Sequence, residues 1–207
     1  MEVQSATDCA TAVRGRPREF CVDAALAAAL RVFWTKGFEG ASLDELTSAM
    51  GVSRPSLYAA FGNKEALFRK TLDLYDREKQ AFMNAALSAP TARGVAERIL
   101  TNALEVQAGA SDPRGCLHVM TTVAGGGEMD ALKTEVRTRR ASSEAALVRR
   151  FEQAKADGDF DERFEPAGLA RYLMALVLGM AVQAGAKTPK ADLEKLIETA
   201  LLVWPGR

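Results

Sequence analysis

The chain has 207 residues, 48% of them hydrophobic and 26% charged. At this size a folded chain buries roughly 70% of its extended surface, so neither a disordered polymer nor a collagen-like one fits. Lysine plus arginine equals aspartate plus glutamate at 27 each, which excludes a bulk-charge argument for a nucleic-acid or an acidic partner; any such partner must come from local charge.

Cys9, Cys21 and Cys116 are an odd, scattered set that forms neither a disulfide framework nor a zinc-ligand spacing. Met1 to Ala10 carries Glu2 and Asp8 and lacks the basic start and apolar run of a secretory leader. The uncharged stretch Tyr172 to Ala186 has 15 residues, Gln183 among them, short for crossing hydrocarbon. These features predict a cytoplasmic protein with no membrane partner.

Residues 1–17 read as a flexible basic arm ending in Arg14, Gly15, Arg16 and Pro17, with Arg18 beyond. After Pro17, Val22, Leu26, Leu30 and Phe33 recur at helical spacing and predict a first helix, stopped at Gly37. Ser42-Leu43-Asp44-Glu45 is a capping box that opens a short second helix ending at Gly51. Ser53 caps a third, with Pro55 in its first turn and Leu57, Tyr58, Ala60 and Phe61 on its packing side. Asn63 caps a fourth running from Lys64 towards Leu87.

The second half predicts further helices: Thr91 to about Gln107, Leu117 to Val123, Glu128 to Ala156, Pro166 to Ala184, and a last one striped by Leu193, Leu196, Ile197, Ala200, Leu201 and Trp204. No segment alternates as a strand does. The fold class is all-α, with about nine helices.

Two short helices around a glycine turn have helix-turn-helix geometry. Leu43, Leu46, Met50, Val52 and Leu57 supply its packing, which leaves Ser53, Arg54, Ser56 and Ala59 exposed and Tyr58 at the rim. The exposed start of such a second helix reaches base edges in the major groove. Arg54 is the long hydrogen-bonding side chain there, suited to guanine O6 and N7 or to a phosphate; it also fits a plain surface charge. Ser42, Ser53 and Ser56 can bond phosphate or base. Lys64, beside unpaired helix-start amides, can bind a phosphate or be one half of a surface pair with Glu65. Arg14, Arg16 and Arg18 have the form of a minor-groove or backbone tail, or of a leader without contacts.

These residues resemble the TetR family of transcriptional regulators. The resemblance rests on Ser42-Leu43-Asp44-Glu45-Leu46, Met50-Gly51-Val52-Ser53, Ser56-Leu57-Tyr58-Ala59-Ala60-Phe61 and Lys64-Glu65-Ala66-Leu67-Phe68, and covers roughly residues 20–70. It implies an all-helical homodimer whose first three helices bind a palindromic operator. The fourth helix then links to a ligand-binding region, and the last two form a four-helix dimer interface. It further implies operator contacts from Ser53, Arg54, Ser56, Tyr58 and Lys64, the last two mostly through phosphates. Thr47 and Met50 stand where alanine is common in the family, and Pro55 replaces a residue that is often small and flexible. Arg114-Gly115-Cys116-Leu117 resembles a segment of one branch.

In the second half, Phe82, Met83, Leu104, Cys116, His118, Met120, Phe151, Met174 and Leu178 are candidate lining for an adaptable apolar cavity that suits a small apolar or aromatic effector. They also fit an ordinary core. His118, the sole histidine, is a ligand contact, a titrating group or a satisfied core side chain; Cys116 is an oxidant sensor or inert packing. The helix after Pro166 is apolar all round, which calls for burial on every side. A second subunit supplies one side, with Leu169, Tyr172, Leu173, Leu176, Val177, Met180, Leu193, Ile197, Leu201 and Trp204 as candidate interface. On this reading residues 1–17 are the arm, 18–63 the DNA-binding domain and 64–207 the ligand-binding and dimerisation domain.

An enzyme is disfavoured. The sequence has no HExxH and no paired catalytic carboxylates, and Gly125-Gly126-Gly127 lacks the strand and lysine of a phosphate loop. No cofactor is implied. A regulator without a small-molecule effector, or an activator, remains the alternative to an effector-released repressor.

Overall fold

In a computed structural model, residues 21–109, 113–123 and 130–206 are described. Within them the chain forms nine α-helices and no strand: α1 (Val22–Gly40), α2 (Leu43–Met50), α3 (Arg54–Phe61), α4 (Lys64–Leu87), α5 (Ala92–Ala108), α6 (Leu117–Val123), α7 (Asp130–Ala156), α8 (Pro166–Gly185) and α9 (Lys190–Leu202). They divide into two compact units, the first ending at Tyr75 and the second starting at Asp76.

The first unit is organised by aromatic rings. Phe33 of α1 meets Phe68 of α4 edge-on at 4.9 Å between centroids, Phe38 meets Phe68 at 5.3 Å, and Trp34 meets Tyr75 at 5.0 Å. Leu46, Leu57, Leu67 and Leu72 are fully buried around them. Regular helix in α1 breaks at Gly37, whose φ of +72° lies in the region glycine tolerates. Three expectations are corrected here. Val22 is 49% exposed, since the buried face of α1 starts at Ala25 and continues through Ala29, Leu30, Phe33 and Trp34; Tyr58 and Ala60 are exposed, since only Leu57 and Phe61 of α3 reach the core.

In the second unit α5 packs against α7, α8 and α9, and α6 against α7 and α8. Leu100, Leu147, Phe151, Leu173, Met180 and Leu193 form the centre. Polar ends are satisfied across the unit. Arg150 of α7 donates to the carbonyls of Leu87, Ala89 and Pro90 at 2.8–3.1 Å, and the Asp159 carboxylate accepts from the Ala92 amide at the start of α5. These bonds replace the partners that helix ends lack. At 20 residues, α8 is long and apolar enough to cross a membrane by length and composition, so the shortness expected of this segment does not hold for the whole helix. Leu169, Ala170, Leu173, Met174, Met180, Ala181 and Ala184 are nevertheless buried inside the chain.

Candidate functional site

The start of α2 is built by the capping box read in the sequence. The Ser42 hydroxyl accepts from the Glu45 amide at 3.2 Å, and the Glu45 carboxylate accepts from the Ser42 amide at 3.1 Å. Lys36 of α1 pairs with the same carboxylate. The hydrogen bond from Lys36 first, then those from Ser42, pull the Glu45 pKa down to about 2, so the carboxylate that links α1 to α2 stays ionised at any ordinary pH.

Gly51 then adopts φ +66°, a left-handed conformation that costs glycine little. Its geometry lets the Val52 amide donate back to the Thr47 carbonyl at 3.0 Å. Ser53 caps α3 by accepting from the Ser56 amide at 3.3 Å; its hydroxyl also lies 2.9 Å from that of Ser56, and Pro55 occupies the first turn, where no amide hydrogen is needed.

The outcome is a two-faced α3. Leu57 and Phe61 are buried at 0% and 4% exposure, whereas Tyr58 is 45% exposed. Ser53, Arg54 and Ala59 are exposed too, and Ser56 is half-buried. Arg54 is not a lone charge: its Nη2 and Nε donate to one oxygen of Asp44 at 2.7 and 3.2 Å. At the next helix start Asn63 Oδ1 accepts from the Ala66 amide at 2.7 Å. The Lys64 ammonium sits over the Phe38 ring at 4.7 Å, half-buried; partial burial lowers its pKa against the pull of nearby Glu39. The structure thus brings Ser42, Ser53, Arg54, Ser56, Tyr58 and Lys64 into the first unit, while Arg14, Arg16 and Arg18 lie outside the described residues.

Among the candidate effector contacts, Met83, Leu104, Phe151 and Met174 share one core, with Phe82 packed against it. Cys116 and His118 are buried and Met120 and Leu178 half-buried. Sequence reasoning missed the partners of His118. Its Nε2 lies 2.9 Å from Asp76 Oδ1 of α4, and the other Asp76 oxygen takes a 2.9 Å bond from Arg139 Nη1 of α7. Arg139 also holds Glu135 at 2.6 Å. Burial works to raise the Asp76 pKa, but the bonds from His118 and Arg139 together hold the carboxyl below its usual value. Burial lowers that of His118, the Asp76 bond opposing.

Of the candidate interface residues, Leu169, Leu173, Met180, Leu193, Ile197 and Trp204 are buried within their own chain. Tyr172 is 39% exposed, and Leu176, Val177 and Leu201 are half-buried. An open groove of 380 Å³ follows Tyr172, Leu176, Asp192, Lys195, Leu196 and Thr199; a second, of 480 Å³, runs past Phe164, Gly168, Tyr172 and Val203. Neither is lined by a candidate effector contact.

Two family models match this architecture: bacterial regulatory proteins of the tetR family over residues 25–71, and the tetracyclin repressor-like C-terminal domain over residues 96–200. The chain belongs to the TetR family. It is 33% identical to the HTH-type transcriptional repressor ComR of Escherichia coli strain K12, over 96% of each chain. Over 63 residues, 30% of this chain and 32% of the relative, it is 48% identical to the HTH-type transcriptional repressor BdcR of the same strain. A cysteine-substituted form of the TetR family regulator CifR, solved with 26-bp double-strand operator DNA, is 37% identical over 92% of this chain and all of its own, with a TM-score of 0.86. As a TetR family member the chain is a DNA-binding regulator of transcription and not an enzyme.

Proposed function

We propose that the chain is a repressor that binds a palindromic operator as a homodimer and is released by a small apolar or aromatic effector. The observation that carries the reading is the division of α3: Leu57 and Phe61 are held inside while Arg54, Ser53 and Tyr58 face outward. An α-helix presented this way fits the major groove, with its first turn at the base edges. The likeness to CifR, whose structure contains operator DNA, supports the same reading, and the likeness to ComR supports repression.

A second copy is taken to cover the open side of α8 and α9, where Tyr172, Leu176 and Leu196 line one groove and Val182, Leu202 and Val203 stand exposed. A two-fold pair sets its recognition helices about 34–36 Å apart, one turn of duplex. Phe82, Met83, Leu104, Met120, Phe151, Met174 and Leu178 are the proposed effector contacts, with Cys116 and His118 as polar members. Because α4 carries residues of both units, an effector that displaces its Asp76–Leu87 half acts on the half that bears Lys64. A coupling of about 1–3 kcal/mol is typical of such two-site devices.

The test is a salt series of purified protein on duplex DNA flanking its own gene. Arg54→Ala should lose about tenfold per half-site on the operator and much less on random DNA. Lys64→Ala should weaken both alike and make the salt dependence shallower, by about 0.9 in log–log slope for each phosphate contact removed. Equal affinity for flanking and random DNA would refute the reading. Thermal-shift titration against an apolar compound panel, repeated with operator present, tests release.

A further inference from the structure

Arg54 opens α3, and Asp44 lies in the first turn of α2, separated by 10 positions. Their side chains meet across the glycine turn, with the Nε and Nη2 groups of Arg54 on the single oxygen Oδ1 of Asp44. Both side chains are largely exposed, at 54% and 79%. An ion pair so open to water adds little to stability, so its consequence lies in what it leaves the guanidinium able to do.

We propose that Asp44 is the positioning residue that makes Arg54 a reader of guanine rather than a clamp on phosphate. The inference rests on the proposal that α3 faces DNA and goes beyond it by settling what Arg54 binds there.

A guanidinium has two edges on which paired donors point the same way. Asp44 occupies the Nε/Nη2 edge, which orients the plane of the group and leaves the Nη1/Nη2 end outside that contact. That end matches the two acceptors O6 and N7 that guanine offers in the major groove. A long arginine free in water spreads over many rotamers; one held at its side edge has surrendered that freedom before DNA arrives.

Phosphate binding draws its strength from net positive charge and counterion release. Arg54 and Asp44 sum to zero, and a phosphate approaching the guanidinium would also approach the Asp44 carboxylate. A guanine edge is a neutral pair of acceptors and meets no such repulsion. The pair therefore favours a base over the backbone and weakens binding to DNA of unrelated sequence. Glu45, next in the chain, is committed to Lys36 and Ser42, so it does not substitute for Asp44. Lys64 differs in geometry: its ammonium rests on the Phe38 ring and feels Glu39 as a nearby charge.

The experiment is selection from a pool of random duplexes by the full chain, as wild type and as Arg54→Ala, Asp44→Ala and Asp44→Asn, each checked for an unchanged melting curve. Wild type should enrich a two-fold site with a guanine in each half whose preference disappears in Arg54→Ala. Asp44→Ala should lose preference for the same guanine by about tenfold, gain affinity for random DNA, and steepen the salt dependence by about 0.9 per protomer as Arg54 turns to a phosphate. Asp44→Asn, whose amide oxygen still accepts from Nε and Nη2, should retain the guanine. If Asp44→Ala keeps the full guanine preference, or if Asn and Ala lose it alike, the role given to Asp44 is overturned while the DNA reading stands. If wild type enriches no sequence, the DNA reading falls and takes this inference with it.

Discussion

The imidazole of His118 is 2% exposed and its Nε2 lies 2.9 Å from Asp76 Oδ1, close enough for ring and carboxylate to act on each other's ionisation. Burial, together with the positive Lys79 and Arg140, pushes its pKa below the ordinary 6.5 despite the opposing Asp76. The sign of the consequence follows. A folded chain that keeps His118 neutral binds fewer protons than the unfolded chain once the pH drops below about 6.5, so stability rises with pH through that window and is lost on acidification. Asp76, held below its usual value, adds a second loss of the same sign deeper in the acid range. Denaturant midpoints should therefore fall between pH 7 and pH 5. His118→Gln, which keeps a donor but does not titrate, should flatten that fall. His118→Ala should cost about 2 kcal/mol at pH 7, because it empties a fully buried site beside the Asp76 carboxylate. The cluster was only half legible in the sequence. A lone histidine between apolar residues marked itself, but Asp76 and Arg139 stand 63 positions apart on different helices, and no spacing rule links them. Asp44 was hidden differently: it read as one letter of a capping box, and only the folded turn brings it to Arg54.

Helices were legible wherever local chemistry sets their ends. The Ser42–Glu45 box and the Ser53 cap with Pro55 in the first turn are decided within four residues, and α2 and α3 start where those residues say; Thr91, read only as the start of its helix, is instead its cap, the hydroxyl accepting from the Gly94 amide at 3.0 Å. The two faces of α8 were not separable in this way. A helix apolar on every side has no periodic contrast to show which face meets its own core. Leu173 and Met180 turn out fully buried within the chain, whereas Tyr172 and Val182 are left at 39% and 58% exposure. The proposed dimer face is accordingly the Tyr172–Leu176 side of α8 with Leu196 of α9. Leu176→Asp should raise the dimer dissociation constant by about a hundredfold, the equivalent of about 3 kcal/mol for an unpaired charge at an interface, with helicity retained. Leu173→Asp should instead unfold the second unit. Sedimentation equilibrium and circular dichroism on the two variants separate these outcomes.

At the scale of the whole molecule, the two units divide recognition from assembly. Every proposed operator contact among the described residues lies before Tyr75, and every proposed dimer contact after Asp76. Recognition by one copy of α3 is weak in principle, since eight residues reach only a few base pairs. A dimer gains by linkage: once one half-site is bound, the second encounter is intramolecular, and avidity of this kind multiplies affinity by about 10²–10⁴ without any new contact. A change in the second unit that touches no DNA should therefore abolish tight operator binding. Leu176→Asp is the sharpest case, because it leaves the Ser53–Phe61 surface untouched. At concentrations where the variant is monomeric, its affinity for a full operator should fall by about 10² or more and become equal to its affinity for an isolated half-site. The slope of log affinity against log salt should drop to about half, as phosphate contacts are counted for one copy instead of two. Titration of wild type and variant on full and half operators, at two salt concentrations, checks both numbers together. A monomeric variant that held the full operator as tightly as wild type would mean that one α3 suffices, and the two-fold reading would have to be given up.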